Sequence, residues 1–199
     1  SCMNEQFDEL IDNYVSGKVG VCNNFIPAEL SAGLQLHIRQ LQQQGLMNAA
    51  GIGNSKVKDG NQQVRSDSIC WLNKNTDNIY ERGFLQYTDE FIARMNATCY
   101  TGINDSEFHY AVYGVGSFYK RHKDQFKTDD SRKYSLVTYL NDNWIAAEGG
   151  FLKLFDNEKV QQVMPAARTA VLFKSDETEH EVMVANRPRL SISGWLKRV

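Results

Sequence analysis

The sequence lacks the features that mark several broad classes of protein. Only 4 of its 199 residues are cysteine, and no two of them form a Cys-x-x-Cys pair. No apolar run approaches the roughly 20 residues that a helix needs to cross a bilayer. The net charge is only −2. These absences argue against a disulfide framework, a zinc knuckle, a membrane partner and a nucleic-acid groove as the main binding surface.

Glycine-rich nucleotide loops are also missing. Gly51-Ile-Gly53 and Gly114-Val-Gly116 lack both the third glycine and the Gly-Lys-Ser/Thr ending that such loops need. Hydrophobic residues make up 42% of the chain and charged residues 23%, which is typical of a globular protein. A chain of this length can bury one sizeable core. We therefore expect a single domain over residues 1–199, with free thiols, in the cytoplasm.

The first half of the chain carries three apolar stripes at helical spacing. Ser16-Gly17 should end the first helix, Pro27 can begin the second, and Gly45 is a plausible stop for it. We interpret the stripes as helix faces packed on a sheet rather than as cofactor-binding boxes. The stripes are Phe7, Leu10, Ile11 and Tyr14; Leu30, Leu34, Ile38 and Leu41; and Tyr80, Phe84, Phe91, Ile92 and Met95.

From about Glu107 onward the pattern changes to short strands separated by turns. Short strands confined to one half of a chain favour a mainly β fold, a double-sheet jelly roll flanked by N-terminal helices. We expect helical support and a lid over about 1–105, and the jelly-roll core over about 106–199. The candidate strands are Phe108 to Phe118, Tyr134 to Leu140, Phe151 to Phe155, Ala170 to Phe173, Glu181 to Val184 and Arg189 to Lys197.

A polar, glycine-rich segment without periodicity, 51–63, separates the second predicted helix from the third. It is either a disordered surface insertion or a lid that closes over bound substrate. Because it leads directly into Arg65-Ser-Asp67, we favour the lid.

The most informative chemical pattern is His122-Lys-Asp124, followed much later by His180. Two histidines and one carboxylate form the facial set that holds non-haem Fe(II) and leaves other positions open. Residues two apart in a strand point to the same face, so His122 and Asp124 can bind one ion together, and another strand must contribute His180. Zinc accepts the same donors, but a structural zinc site usually has four ligands, often with cysteine. We interpret His37 and His109 as ordinary core or surface residues.

A candidate anion-binding arginine follows nine residues after His180. In a strand over Arg189-Leu-Ser-Ile-Ser-Gly-Trp195, the side chains of Arg189, Ser191, Ser193 and Trp195 share one face. An arginine buried beside a metal needs an anionic partner, which a dicarboxylate would supply. Arg187 is the rival, but it precedes Pro188 and is biased towards a solvated turn.

Taken together, these motifs resemble the 2-oxoglutarate/Fe(II)-dependent dioxygenases, and within them the oxygen-sensing, hypoxia-factor type of prolyl hydroxylase in the prolyl 4-hydroxylase group. The resemblance covers most of the chain. The stretch from Tyr113-Gly-Val-Gly-Ser-Phe-Tyr119 to His122 resembles the strand that leads into the iron site. Three further segments match in order: Val64-Arg65-Ser-Asp67-Ser-Ile-Cys-Trp71, Tyr134-Ser-Leu-Val-Thr-Tyr139 and Gly149-Gly150-Phe-Leu-Lys-Leu-Phe155.

The resemblance implies a double-stranded β-helix fold and a set of roles. Fe(II) would be bound by His122, Asp124 and His180, which are thus the catalytic and metal residues. Arg189 and Tyr139 would bind the far carboxylate of 2-oxoglutarate, with Tyr113, Ser193 and Trp195 completing that pocket. Asp67 would pair with Arg132 and tether the lid region to the jelly roll, and Arg65 and Trp71 would frame the substrate entrance. O2 is the second cosubstrate, and ascorbate is a candidate reductant.

The implied reaction is hydroxylation of a prolyl residue in a protein, with release of succinate and CO2. A protein with an exposed proline loop, for example a translation factor, is the expected partner. One alternative is an oxygenase that acts on a free amino acid or another small molecule. The other is a jelly-roll binding module without catalytic activity, against which the intact metal triad and Arg189 argue.

Overall fold

The structure of the protein is a computed structural model that describes residues 2–50, 64–124, 128–157 and 159–199. Helices α1 (Cys2–Gly17), α2 (Ala28–Gln43) and α3 (Ile79–Cys99) carry the three predicted apolar stripes. Pro27 stands at the N-cap of α2, and the side chain of Asn78 accepts hydrogen bonds from the first turn of α3. None of the helices in the described part combines the length and the apolarity that crossing a membrane requires.

Two antiparallel sheets lie at the centre of the fold. The major sheet contains β1 (Val19–Cys22), β2 (Asn48–Ala49), β3 (Ser68–Trp71), β4 (Asp105–Tyr113), β6 (Arg132–Tyr139), β9 (Ala170–Lys174) and β11 (Arg189–Lys197). The minor sheet contains β5 (Tyr119–His122), β7 (Leu152–Asp156), β8 (Lys159–Val163) and β10 (Glu179–Val182). The strands of the major sheet run in the order β1-β9-β6-β11-β4-β3-β2, and those of the minor sheet in the order β5-β10-β7-β8.

The two faces of the major sheet have different neighbours. Leu190, Ile192 and Leu196 on β11 belong to a core cluster that also contains the buried faces of the helices. The opposite face contributes Tyr139 to a second cluster, which also contains Leu154 and Val182 of the minor sheet. The alternation predicted for β11 is therefore the division between a helix-packed core and the space between the two sheets.

The mainly β jelly roll with supporting helices is confirmed, and several strand boundaries are corrected. The predicted strand over 108–118 extends too far, because β4 ends at Tyr113 and a turn closed by Ser117 N–H on the Gly114 carbonyl precedes β5. The predicted strand over 181–184 lies two residues too late. The strands β1, β2, β3 and β8 had no prediction. All four are short, and β8 is exposed except at Val163, so none of them has a strong alternation of apolar and polar residues to detect.

The predicted lid, 51–63, lies outside the described residues. The single-domain assignment stays a prediction.

The side chain of Asn141 ties the start of β11 to the loop before β9. It is 3% exposed; its Oδ1 accepts from Leu190 N–H at 2.7 Å, and its Nδ2 donates to the carbonyls of Leu190 and Pro165 at 2.9 and 2.8 Å. Asn141→Ala would leave buried backbone groups unpaired, so we expect the free energy of unfolding to fall by about 2–3 kcal/mol in urea titration.

Asn104→Ala is the matched control. The Asn104 side chain makes a similar pair of bonds to Val199, but at an exposed site where water can replace them. We expect a loss below about 1 kcal/mol there. Equal losses in the two variants would contradict a special role for the buried clamp.

Candidate metal centre

His122, Asp124 and His180 come together between the ends of β5 and β10. One donor atom from each lies within 4.8 Å of the others. His122 is the last residue of β5, and the sheet register places it directly opposite His180 on β10. Asp124 lies just beyond β5, not within it as the two-residue spacing suggested. The structure thus brings together the three predicted ligands, with the cross-strand pairing supplying the distant histidine.

Backbone carbonyls fix both imidazole rings. His122 Nδ1 lies 2.6 Å from the Lys120 carbonyl, and His180 Nδ1 lies 3.2 Å from the Thr178 carbonyl. A carbonyl can only accept, so each Nδ1 is the protonated nitrogen. Each Nε2 faces the third residue, Asp124, whose Oδ1 is 3.4 and 3.2 Å away, and is the nitrogen left to bind a cation once it carries no proton. This tautomer is the one that a metal-binding histidine needs.

The charges at the site act on one another. Burial opposes ionisation of Asp124, but His180 and His122 beside it hold the pKa of this carboxyl well below its usual range. Burial lowers the pKa of His122, and the neighbouring His180 lowers it further. Burial also opposes charge on His180, yet the Asp124 carboxylate outweighs it and raises the pKa of this imidazole. A buried carboxylate held ionised between two imidazoles is a strong donor set for a divalent cation.

Arg189 is buried on the inner face of β11, where no described residue offers it a negative charge. It is 2% exposed, and its Nε donates to the Gly150 carbonyl at 2.8 Å while an Nη donates to the Tyr139 hydroxyl at 3.2 Å. In the part of the chain that the structure describes, it makes no ion pair with a carboxylate. The rival Arg187 does, since it lies 3.3 Å from Glu148 and is partly exposed. A buried guanidinium that lacks a carboxylate partner among the described residues is suited to bind an anion.

Two tyrosines line the space around Arg189. The guanidinium lies 5.0 Å from the centre of the Tyr113 ring and 4.9 Å from that of Tyr139. Burial raises the pKa of both phenols, so each keeps its proton. Because the Tyr139 oxygen accepts from Arg189, its own hydrogen can be donated to an anion.

The Gly149-Gly150 pair explains how Arg189 reaches its backbone partner. Gly150 has φ of +70°, and a Cβ there would lie 2.9 Å from the Trp144 ring and 3.3 Å from Arg189 Cδ. Only glycine combines this conformation with such a close approach.

An aromatic cluster lies further along the same face of the major sheet. The rings of Trp71, His109 and Trp195 lie 5.0, 5.5 and 6.1 Å apart, and the Arg132 guanidinium stacks on Trp195 at 3.6 Å. Trp71 is 49% exposed, and the buried Trp195 Nε1 has no hydrogen-bond partner in the described residues. Ser193 lies between Arg189 and this cluster, opposite His109 in the sheet register.

His109 was expected to be an ordinary core or surface residue. It is buried, and its Nδ1 donates to the Tyr110 carbonyl at 3.1 Å, but its ring belongs to the aromatic cluster. Burial lowers the pKa of His109 to about 4, so the ring is neutral at physiological pH. Its sequence neighbours Phe108 and Tyr110 suggest a core position, and only the pairing of β4 with β3 and β11 reveals the face it occupies.

The predicted ion pair between Asp67 and Arg132 is wrong. Asp67 accepts two hydrogen bonds from Arg65 at 2.8 and 2.7 Å, and Arg132 donates to Glu107 at 2.9 Å. Arg65 lies two residues from Asp67, so their pairing is local and costs little chain entropy. Glu107 lies opposite Trp195 in the register, which places it where the Arg132 side chain passes.

A stack of side chains, missed at the sequence level, links the Arg65 segment to a proposed metal ligand. The Tyr119 ring lies parallel to the His122 ring at 3.5 Å, and the Arg65 guanidinium covers the Tyr119 ring at 4.2 Å. A β-bridge joins the backbones of Arg65 and Tyr119. The Arg65 segment is therefore packed directly against the candidate metal centre.

Comparison with known proteins identifies what the chain is similar to. Residues 108–197 match the model of the 2OG-Fe(II) oxygenase superfamily. The crystal structure of a Pseudomonas putida prolyl-4-hydroxylase is 32% identical, with a TM-score of 0.88 over 97% of this chain and 100% of that one. A Trichoplax adhaerens prolyl hydroxylase in complex with a hypoxia inducible factor oxygen degradation domain peptide fragment is 25% identical, with a TM-score of 0.86 over 98% and 90%.

Proposed function

The chain belongs to the 2OG-Fe(II) oxygenase superfamily, in its prolyl 4-hydroxylase group, and on that premise we propose that it hydroxylates a prolyl residue of another protein. It is a dioxygenase that uses Fe(II), 2-oxoglutarate and O2. Release of succinate and CO2 belongs to the proposal. A cytoplasmic location, ascorbate as reductant and a translation factor as substrate stay predictions.

The observation that carries the proposal is the position of Arg189. It is a buried guanidinium without a carboxylate partner in the described residues. It lies on the sheet face whose Ser135 and Phe173 contact Asp124 and His180. Two imidazoles and one carboxylate suit Fe(II) and leave positions open for further ligands. A dicarboxylate with one end on the metal and the other on Arg189 would satisfy both parts of the site.

Each group of residues at the site has a separate proposed role. His122, Asp124 and His180 would hold Fe(II), which, with 2-oxoglutarate and O2, supplies the oxidising chemistry when bound. Arg189 would bind the far carboxylate of 2-oxoglutarate through charge-assisted hydrogen bonds, and the Tyr139 hydroxyl would add one more. Tyr113 and Ser193 would close the sides of that pocket.

The aromatic cluster supports a prolyl substrate. The pyrrolidine ring has no N–H to satisfy once the residue is in a peptide, so it suits an apolar aromatic surface. Trp71, His109 and Trp195 offer such a surface, and the exposure of Trp71 marks the side open to solvent. That the Trichoplax adhaerens relative is in complex with a peptide supports a protein substrate here.

The test combines the enzyme, loaded with Fe(II) and 2-oxoglutarate, with soluble protein from its host, in air and under nitrogen. Peptides are then searched by mass for one added oxygen. We expect a gain on proline that requires O2 and is absent with His122→Ala. Succinate formation with small metabolites, without any gain on protein, would replace the proposal with a small-molecule oxygenase.

A substitution in the aromatic cluster gives a sharper prediction. Trp71→Ala should raise KM for a proline-containing peptide by about 2- to 12-fold with little change in kcat, because a lost aromatic contact costs about 0.5–1.5 kcal/mol of binding. Initial rates over a range of peptide concentrations measure both constants. Tyr100→Ala, at an exposed position after α3, is the control and should leave KM unchanged. An unaltered KM in Trp71→Ala would remove this residue from the substrate surface.

A further inference from the structure

The two carboxylate oxygens of Asp124 have different surroundings. Oδ1 lies 3.4 Å from His122 Nε2 and 3.2 Å from His180 Nε2. Oδ2 lies 2.7 Å from the Ser135 hydroxyl on β6. One oxygen therefore faces the proposed metal position, while the other is turned towards the major sheet and is already bonded.

The direction of the hydrogen bonds behind Asp124 follows from the groups themselves. Ser135 Oγ also lies 2.9 Å from Ser175 Oγ, and both serines are buried, at 1% and 0% exposure. An ionised carboxylate only accepts, so the one hydroxyl hydrogen of Ser135 goes to Asp124. Ser175 must then donate to Ser135. The chain of donors runs from Ser175 through Ser135 to Asp124, and each bond polarises the next.

The backbone reinforces this arrangement. Asp124 lies beyond the end of β5, and its N–H donates to the Ser175 carbonyl at 3.2 Å. The Ser175 N–H in turn donates to the Lys133 carbonyl at 3.1 Å, continuing the pairing of β9 with β6. Ser175 thus holds both the backbone of Asp124 and, through Ser135, its side chain. We name Ser135 and Ser175 the serine pair.

We propose that the serine pair restricts Asp124 to a single metal-binding oxygen. A carboxylate that bound through both oxygens would take a fourth position of a six-coordinate ion, and one of the three positions left by His122, Asp124 and His180 would be lost. With Oδ2 held by Ser135, that position stays open for cosubstrate. The serines are positioning residues, since they act through Asp124 and do not touch the reacting groups.

This inference rests on the proposed metal site, and the experiment separates the two. Mn(II) is added to the protein without 2-oxoglutarate, its occupancy is measured by electron paramagnetic resonance, and water-proton relaxation reports the exchanging waters on the bound ion. Mn(II) binding by the unaltered protein that is lost in His122→Ala tests the metal site. The role of the serine pair is tested separately, by comparing the relaxivity of variants that have Mn(II) bound.

For Ser135→Ala we expect the inner-sphere relaxivity per bound Mn(II) to fall by about a third, as three open positions become two. Ser135→Thr keeps the hydroxyl and should restore the original value. Ser175→Ala removes the donor behind Ser135 and should lower the relaxivity less. Ser106→Ala, at a buried serine of β4 on the opposite face of the sheet, is the matched control and should leave it unchanged.

Equal relaxivity in Ser135→Ala and the unaltered protein, at equal Mn(II) occupancy, would overturn the proposal. So would a fall that Ser135→Thr does not reverse. If Ser135→Ala binds no Mn(II), the serine pair is needed for the ion to bind at all and does not set how many Asp124 oxygens bind it, which also contradicts the proposal. Loss of Mn(II) binding in Ser175→Ala as well would strengthen that contradiction.

Discussion

Replacing His122 or Asp124 with alanine should lower turnover by about 10³-fold or more. Loss of a group that merely orients a metal ligand already costs roughly 10–100-fold in metal affinity or activity, and these residues are proposed as the ligands themselves. Each contributes a donor atom to the cluster that spans 4.8 Å. The assay is succinate formation with saturating Fe(II), together with the dissociation constant of Mn(II) as a readout that does not depend on catalysis.

Glu179→Gln is the control for these variants. Glu179 precedes His180 and is half-exposed, and its carboxylate pairs with Arg121 outside the metal centre. Its loss removes a negative charge near the site without removing a proposed ligand, so activity and Mn(II) affinity should stay within about 2-fold of the original, as exposed ion pairs contribute little. Full turnover by His122→Ala in a folded protein would overturn the metal site.

Arg189→Ala should raise the 2-oxoglutarate concentration needed for half-maximal rate by roughly 100-fold, because two charge-assisted hydrogen bonds worth about 3 kcal/mol together would be lost. The Fe(II) affinity should change little, since the described contacts of Arg189 are with Gly150, Tyr139 and Tyr113 and not with the proposed metal ligands. Calorimetric titration of 2-oxoglutarate into the Mn(II)-loaded protein under nitrogen measures the effect directly.

Two further variants make the Arg189 result specific. Arg189→Lys keeps the charge but loses the planar pair of donors, so we expect an intermediate rise. Arg187→Ala removes a neighbouring arginine that is already paired with Glu148, and it should alter the 2-oxoglutarate requirement by less than about 2-fold. If Arg187→Ala has the larger effect, the anion-binding role moves to Arg187.

Some errors at the sequence level have a common cause. Asp67 and Arg132 carry opposite charges, and resemblance to a family motif suggested that they meet. The structure instead pairs each with another residue, Arg65 and Glu107. The strand register decides which residues lie within reach of a long side chain, and a shift of one residue turns a side chain to the other face. That register cannot be read from the linear sequence.

The serine pair and His109 were missed for a related reason. Isolated serines carry no chemical signal of their own. Ser135 on β6 and Ser175 just after β9 matter because their hydroxyls lie 2.9 Å apart and Ser135 donates to Asp124. His109 stands between two aromatic residues that suggest a core. Its role depends on β3, which brings Trp71 opposite it, and β3 had no prediction.

The sequence by itself determined the fold class, the helices and the identity of the residues that meet at the metal centre. Those inferences depend on local periodicity and on residue types whose chemistry is distinctive, such as two histidines with a carboxylate and an arginine alternating with serines along β11. Only the tertiary structure decided which of two nearby arginines pairs with a described carboxylate, which residue pairs with Arg132, and which oxygen of Asp124 is bonded to the sheet. Each of these depends on contacts between strands far apart in the chain, where burial removes the water that would otherwise make the alternatives equivalent.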